Sequence, residues 1–357
     1  MCERYYRATD ELELGASRIA VTGAAGFVGS HLVSNLLQRG RAVVGIDNFS
    51  TGKRDNLEDV RREVGPEAWA RFRFIEGSIE DPETLTKAFA ATELVFHQAA
   101  LTSVARSWKE PVRAISTNVL GFVNVLTSAQ RCGVRRIVYA SSSSVYGETP
   151  TLPKRESTIG QPISPYAATK LSNEAIAQTL ADTHPLCLTG LRYFNVFGPR
   201  QNANGPYAAV IPRWIAAQLA GEPCHIFGDG TASRDFTYID NIVQANLLAA
   251  AAEAGEVRSR VFNVGTGQRT QVREVLRLLQ QALATRGVMA PDSSRAPVHE
   301  PTRPGDVLHS LADLSLAHDV LGYDPQVDLV AGLERTVAWY AARPREAAAP
   351  PNLRPAA

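Results

Sequence analysis

Arg18-Ile19-Ala20-Val21-Thr22-Gly23-Ala24-Ala25-Gly26-Phe27-Val28-Gly29 is the stretch on which the reading of this chain turns. A short β-branched run gives way to glycines at every third position. The apolar residues that follow (Phe27, Val28, Leu32, Leu36, Leu37) recur at helical spacing over 26–39. A second apolar run over 42–46 ends at Asp47. Strand, glycine turn, helix, strand and acid, in that order, predict a dinucleotide-binding unit. Gly23 permits a tight turn, Gly26 lets backbone approach a pyrophosphate, and Gly29 lets helix pack on strand. The helix start at Phe27 and Val28 offers N–H donors and a favourable dipole to the anion. A carboxylate at Asp47 accepts from adenosine ribose hydroxyls and repels a 2′-phosphate, which favours NAD over NADP. The polar side chains of Asn48, Ser50 and Thr51, with Gly52, either close over the adenosine or form an Asx or Ser/Thr turn.

Outward from this unit the same pattern recurs. Apolar runs over 72–75, 94–97 and 137–141 alternate with helical stretches, including a long one over 111–131. Such alternation predicts an α/β fold, a Rossmann-type doubly wound parallel sheet with helices on both faces. Gln98-Ala99-Ala100 follows one strand, where small residues either leave room for a cofactor or serve helix-sheet packing. After about residue 191 glycine, proline and polar loops become frequent, with helical stretches over 272–285 and 329–342. We therefore expect an NAD-binding domain over 16–191, to which the chain returns at about 238–266. A smaller α/β substrate-binding lobe is expected over 192–237 and 267–343, with fraying termini at 1–15 and 344–357.

Tyr166 and Lys170 stand four residues apart on an expected helix that Pro165 opens, so both side chains share a face. An ammonium near a phenol favours the phenolate and draws its pKa towards working pH. Such a tyrosine takes the proton from an alcohol as hydride leaves the same carbon, and Lys170 can also hold the nicotinamide ribose. A serine run, Ser141 to Ser144, ends an expected parallel strand, where the sites of such sheets lie. Ser142 is the first candidate to hydrogen-bond the reacting oxygen, and Ser143 or Ser144 can share the role. Tyr-x3-Lys alone occurs often on exposed helices; the glycine turn and the serine run give it weight.

Composition excludes several classes. The net charge of +1, without a long block of one sign, speaks against a nucleic-acid surface. No apolar run reaches the roughly 20 residues of a membrane span. The polar start does not read as a secretory signal. Cys2, Cys132, Cys187 and Cys224 lie far apart and form no metal-type spacing, so reduced thiols and a cytoplasmic location are expected.

The motifs over 22–29, 47–52, 97–100, 141–147, 166–170, 191–201, 228–238 and 303–306 together resemble those of extended short-chain dehydrogenases/reductases of the sugar-nucleotide epimerase type. Arg192-Tyr193-Phe194-Asn195-Val196-Phe197-Gly198, Ser233-Arg234-Asp235-Phe236-Thr237-Tyr238-Ile239 and His309-Ser310-Leu311-Ala312-Asp313 are most similar to UDP-N-acetylglucosamine 4-epimerases of surface-polysaccharide pathways. The resemblance implies an isomerase using NAD and a UDP-sugar, working through a 4-keto sugar. It implies Asn195 on the sugar diphosphate, Arg234 and Arg303 on phosphate oxygens, Asp306 on a hydroxyl, and room for an N-acetyl group at Ser310. It also places Ser78, Ile79, Asn118 and Tyr193 at the cofactor, and Ser103, Ala209, Val210, Tyr238 and Val272 at the substrate. A homodimer through a four-helix bundle of the helices over 111–131 and 166–180 is implied too. Gly77-Ser78-Ile79 departs from the usual Gly-Asp-Ile/Val and so alters an adenine contact. Ser143 and Ser144 stand where 4,6-dehydratases carry an Asp-Glu pair, which argues against dehydration. The remaining alternatives are UDP-glucose/UDP-galactose or UDP-uronate epimerisation, a nucleotide-sugar dehydrogenase or reductase, and a non-catalytic NAD-sensing protein.

Overall fold

Strand residues alternate between two buried faces, and that sets the architecture. In the computed structural model, which describes residues 18–203, 208–288, 296–302 and 307–343, Ile19 and Val21 enter one core cluster while Ala20 enters the other. A strand buried on both sides must lie inside a layered α/β stack. The sheet has seven strands: β1 (Arg18–Thr22), β2 (Ala42–Asp47), β3 (Phe72–Glu76), β4 (Leu94–His97), β5 (Arg136–Ser142), β6 (Cys187–Tyr193) and β7 (Val261–Val264). All are parallel, in the order β3-β2-β1-β4-β5-β6-β7. This is the doubly wound α/β class expected from the sequence. The chain order reverses between β1 and β4, and a crevice opens at such a point beyond the carboxyl ends of the strands.

Register brings the motif residues to that edge. Thr22 lies opposite Ile46 and His97, and His97 lies opposite Tyr139. Ser142 lies opposite Tyr193. Beyond the sheet, three two-stranded pairs join distant residues: Val196–Phe197 with Thr237–Tyr238, Ser233–Arg234 with Thr270–Gln271, and His225–Phe227 with Val298–Glu300. The termini over 1–15 and 344–357, expected to fray, fall outside the described residues.

One expected element is different. The long helix over 111–131 consists of an α-helix Pro111–Ile115, a π-helical stretch Ser116–Leu120 and an α-helix Gly121–Arg131. The wider turn leaves Asn118 buried and facing inward, where its Oδ1 accepts from the Leu101 N–H (2.7 Å). Its Nδ2 donates to the Leu101 carbonyl and to Thr169 Oγ1, both at 3.1 Å. Periodicity alone does not reveal one extra residue in a turn.

Candidate active site

The glycine turn is closed by steric necessity. Gly23 adopts φ +70°, and a side chain there would sit 2.8 Å from the Ala99 nitrogen. A Cβ on Gly29 would lie 2.0 Å from the Gly23 carbonyl oxygen. Gly26 precedes the helix Phe27–Gln38 in extended conformation and carries no side chain to cap its first amides. The leading N–H groups are thus left without a side-chain cap beside a turn whose glycines carry no Cβ, a cradle that suits a pyrophosphate. Asp47 closes the other side. Its Oδ2 accepts from the Ala25 N–H (3.0 Å) and its Oδ1 from the Phe49 N–H (2.8 Å). Burial raises its pKa, and these backbone donors oppose the rise. A Cβ on Gly52 would press to 2.8 Å of both carboxylate oxygens, so glycine is required beside the acid. Asn48 Oδ1 accepts from the Ser50 N–H, an Asx turn, with Thr51 exposed beside it. Ser78 makes a similar local turn to the Glu80 N–H, and Ile79 is buried against Gly121.

The helix Pro165–Thr183 carries Tyr166 and Lys170. Ser164 caps it, its side chain accepting from the Ala167 N–H at 3.1 Å. The Tyr166 N–H, left over at the first turn, donates to Ser107 Oγ (3.0 Å). Ser107 belongs to the helix Val104–Lys109, which Ser103 caps. The Lys170 ammonium donates to the Ala140 carbonyl (2.8 Å) and lies 6.0 Å from the Tyr166 ring centre. Both side chains are buried. Ser142 stands beside the phenol, where its hydroxyl acts to lower the phenol's pKa, and Ser142 Oγ accepts from the Ser144 N–H at 3.1 Å. Ser143 opens the short 3-10 turn beside them.

One expectation about this pair is corrected. Spacing predicts that the lysine draws the phenol's pKa down; instead burial pushes Tyr166 up, and the neighbouring Ser142 hydroxyl is what opposes the rise. Burial acts on Lys170 as well, lowering it to about 8, with the Glu174 carboxylate working against that fall. In this low-dielectric pocket desolvation outweighs the pairing that helical spacing alone suggests.

Other expected residues have protein partners of their own. Tyr193 OH donates to Gln98 Oε1 (3.1 Å) and accepts from Asn246 Nδ2 (2.8 Å), which ties β4, β6 and the helix Ile239–Ala251 together. Ala99 and Ala100 are half-buried at the crevice. Beyond Tyr193, Asn195 Nδ2 donates to the Asp235 carbonyl (3.3 Å). Arg234 donates to the Leu308 carbonyl (2.8 Å), and the Ser310 N–H to the Ser233 carbonyl (3.0 Å), so Asn195, Arg234 and Ser310 gather in one cluster. Ala209 and Val210 begin the helix Val210–Ala220, and Val272 begins Val272–Thr285. Tyr238, expected at the substrate, is buried. Its ring meets Phe197 and Gly332, and the Arg335 guanidinium lies over its face. Arg303 and Asp306 lie outside the described residues.

Comparison with known proteins agrees with this geometry. Residues 19–265 match the NAD dependent epimerase/dehydratase family. The chain belongs to that family. A UDP-glucose 4-epimerase of Mycolicibacterium smegmatis is 39% identical, over 90% of this chain and 98% of the relative. Among solved structures, the UDP-N-acetylglucosamine 4-epimerase of Methanobrevibacter ruminantium, in complex with UDP-N-acetylmuramic acid, is 37% identical with a TM-score of 0.81, covering 91% of this chain and 98% of that one. The UDP-glucuronic acid 4-epimerase of Bacillus cereus, bound to UDP-glucuronic acid and NAD, is 31% identical with a TM-score of 0.79, covering 90% and 98%. In this NAD-dependent family member the cradle at Gly23, Gly26 and Gly29 fits the cofactor its family uses.

Sequence reasoning missed several groups that organise the site. His97 Nδ1 and Thr22 Oγ1 bond at 2.8 Å under the crevice. Asp235, fully buried, accepts from the Thr266 N–H (2.8 Å), Thr266 Oγ1 (2.8 Å), the Gly267 N–H (3.0 Å) and the Ala312 N–H (3.3 Å). A lone acid between Arg234 and Phe236 gives no periodic signal; only the meeting of three loops does. Among the described residues no cluster could hold a metal ion, and no helix is long and apolar enough to cross a membrane.

Proposed function

We propose that this enzyme is a UDP-sugar 4-epimerase, with UDP-N-acetylglucosamine and UDP-N-acetylgalactosamine as its substrate pair. The observation that carries the reading is the buried phenol of Tyr166, set beside Ser142 at the carboxyl end of β5, with Lys170 one turn behind it on the same helix and donating to the Ala140 carbonyl. Tyr166 takes the proton of the sugar 4-hydroxyl and later returns it; Ser142, with Ser143 beside it, orients that hydroxyl. Lys170 holds a positive charge beside the phenol and would donate to the nicotinamide ribose of bound NAD. NAD, when bound, supplies a hydride acceptor and donor and a pyridinium cation that favours the phenolate. Gly23, Gly26, Gly29 and Asp47 would hold its pyrophosphate and adenosine ribose. The side chains at Ser143 and Ser144 offer no carboxylate for dehydration.

The substrate lobe over 192–237 and 267–343 would anchor the nucleotide diphosphate through Asn195, Arg234 and Arg303, leaving the sugar free to turn. The N-acetyl preference rests on Ser310, a small hydroxyl where a bulkier side chain would fill space. Free thiols at Cys132, Cys187 and Cys224 suit a reducing cytoplasm. Trp108, Val112, Ile115 and Leu120 form an exposed apolar stripe, with Val112 80% exposed, and we assign it to a homodimer interface.

The test is purified enzyme incubated with UDP-GlcNAc, UDP-GalNAc, UDP-glucose, UDP-galactose and UDP-glucuronate, with products followed by NMR. Interconversion of the acetylated pair without accumulation of NADH is expected. Conversion confined to the uronate would move the substrate, and stoichiometric NADH release would replace the epimerase by a dehydrogenase. Tyr166→Phe should bind NAD as the parent does and turn over about 1,000-fold more slowly.

A further inference from the structure

Three residues one helical turn apart meet three consecutive residues of β5: Tyr166 lies beside Ser142, Lys170 donates to the Ala140 carbonyl, and Glu174 accepts from Ser141 Oγ. We propose that Glu174 is a positioning residue for the Tyr166–Lys170 pair, a role that rests on the reading of those two residues above. Glu174 is eight residues beyond Tyr166 and four beyond Lys170, so all three share a helix face. Its carboxylate is also fixed from the far side. Oε1 accepts from Arg192 Nε at 2.9 Å and Oε2 from Arg192 Nη2 at 2.7 Å, a fork in which the two side chains are 6% and 2% exposed.

Arg192 in turn is held by strand register and by hydrogen bonds to its neighbours. It lies opposite Ser141 across β5 and β6. Its Nη1 donates to Tyr146 OH (2.9 Å) and to the Glu156 carbonyl (3.2 Å), and Tyr146 OH donates to Asn263 Oδ1 (2.6 Å) on β7. The carboxylate thus locks the sliding position of the helix along β5. A shift of about 1 Å there would carry the phenol away from Ser142 and the ammonium away from its carbonyl.

Glu174 also faces Lys170 electrostatically. From the same helix the lysine meets Tyr166 and Glu174, and from β4 it meets His97, which burial and the lysine charge keep neutral. Arg192 on β6 stands behind Glu174, and Tyr139 on β5 is a buried neutral phenol beside that pair. Among these, Glu174 is the carboxylate that favours the ammonium.

A buried ion pair can instead serve the fold alone, and replacing such a pair by apolar side chains of similar volume is often neutral or stabilising. Two variants separate the roles. Glu174→Gln should bind NAD, keep KM within about twofold and lose about 10- to 100-fold in kcat. The alkaline limb of its kcat–pH profile should move about one unit lower, because Lys170 loses the charge that holds its proton. Glu174→Met/Arg192→Met should melt no lower than the parent yet keep the loss in kcat. Parental kcat and pH profile in Glu174→Gln, or parental kcat in the double variant, would overturn the inference. So would failure of both variants to fold, since the pair would then belong to folding alone. Tyr166→Phe is the companion measurement: an active Tyr166→Phe sinks the underlying reading, whereas an inactive one beside a normal Glu174→Gln sinks only this inference.

Discussion

A methyl group on Gly29 would lie 2.0 Å from the Gly23 carbonyl oxygen and 2.7 Å from its carbon. Backbone cannot step aside as a flexible side chain can, so the turn itself must open. Gly29→Ala should therefore lose about 1–3 kcal/mol of stability in urea denaturation, and NAD titration should show at least about tenfold weaker binding, equivalent to about 1.4 kcal/mol. Gly255, with nothing within 4 Å of its would-be Cβ, is the matching control, and Gly255→Ala should leave both measurements unchanged. The glycine spacing was legible because each of these residues answers a local geometric demand. The ionisation of Tyr166 was not. Spacing places a cation one turn away, but only the packed structure shows that desolvation pushes the phenol up and that Ser142 opposes it.

Elements were legible where a single physical signal runs through them. β4, read from four consecutive apolar or aromatic positions, falls on Leu94–His97, and the helix Val272–Thr285 has the bounds its periodicity suggests. The segment over 111–131 fails that test because its job is split. One part, at Asn118, turns inward to clamp Leu101 and Thr169. The other presents Val112, Ile115 and Leu120 to solvent. Helical spacing continues through both, so the π-helical turn leaves no mark in the sequence. The exposed stripe makes a prediction at this scale. Val112→Glu would put a charge in the middle of the proposed dimer interface, where it must either be desolvated or force the two surfaces apart. Sedimentation velocity should show the parent as a dimer and Val112→Glu shifted to monomer, while its melting curve stays cooperative; a monomeric parent would remove the interface.

At the scale of the whole molecule, legibility follows sequence distance. The sheet was readable because each strand and its covering helix are neighbours in the chain. The region beyond it was not, because two-residue strands there join segments far apart in the chain, such as Ser233–Arg234 and Thr270–Gln271, and one buried carboxylate, Asp235, collects amides from two other loops, at Thr266 and Gly267 and at Ala312. The cost of building a crevice over buried polar groups should be measurable in acid. His97 is 3% exposed, and burial, then the charge of Lys170, hold its pKa at about 3. In the unfolded chain an imidazole titrates near about 6.5. Between those values the unfolded state binds a proton that the folded state refuses, so stability falls as the pH drops through that window. From about pH 7 to about pH 5.5 this one side chain should cost the parent about 1 kcal/mol. His97→Gln keeps a donor and an acceptor for Thr22 but has no proton to take up, and groups elsewhere titrate alike in both proteins. The difference between their urea-derived stabilities should therefore shift in favour of the variant by about 1 kcal/mol over that interval. A difference that does not change with pH would mean that the folded protein accepts the proton, and that His97 is not held neutral beneath the crevice.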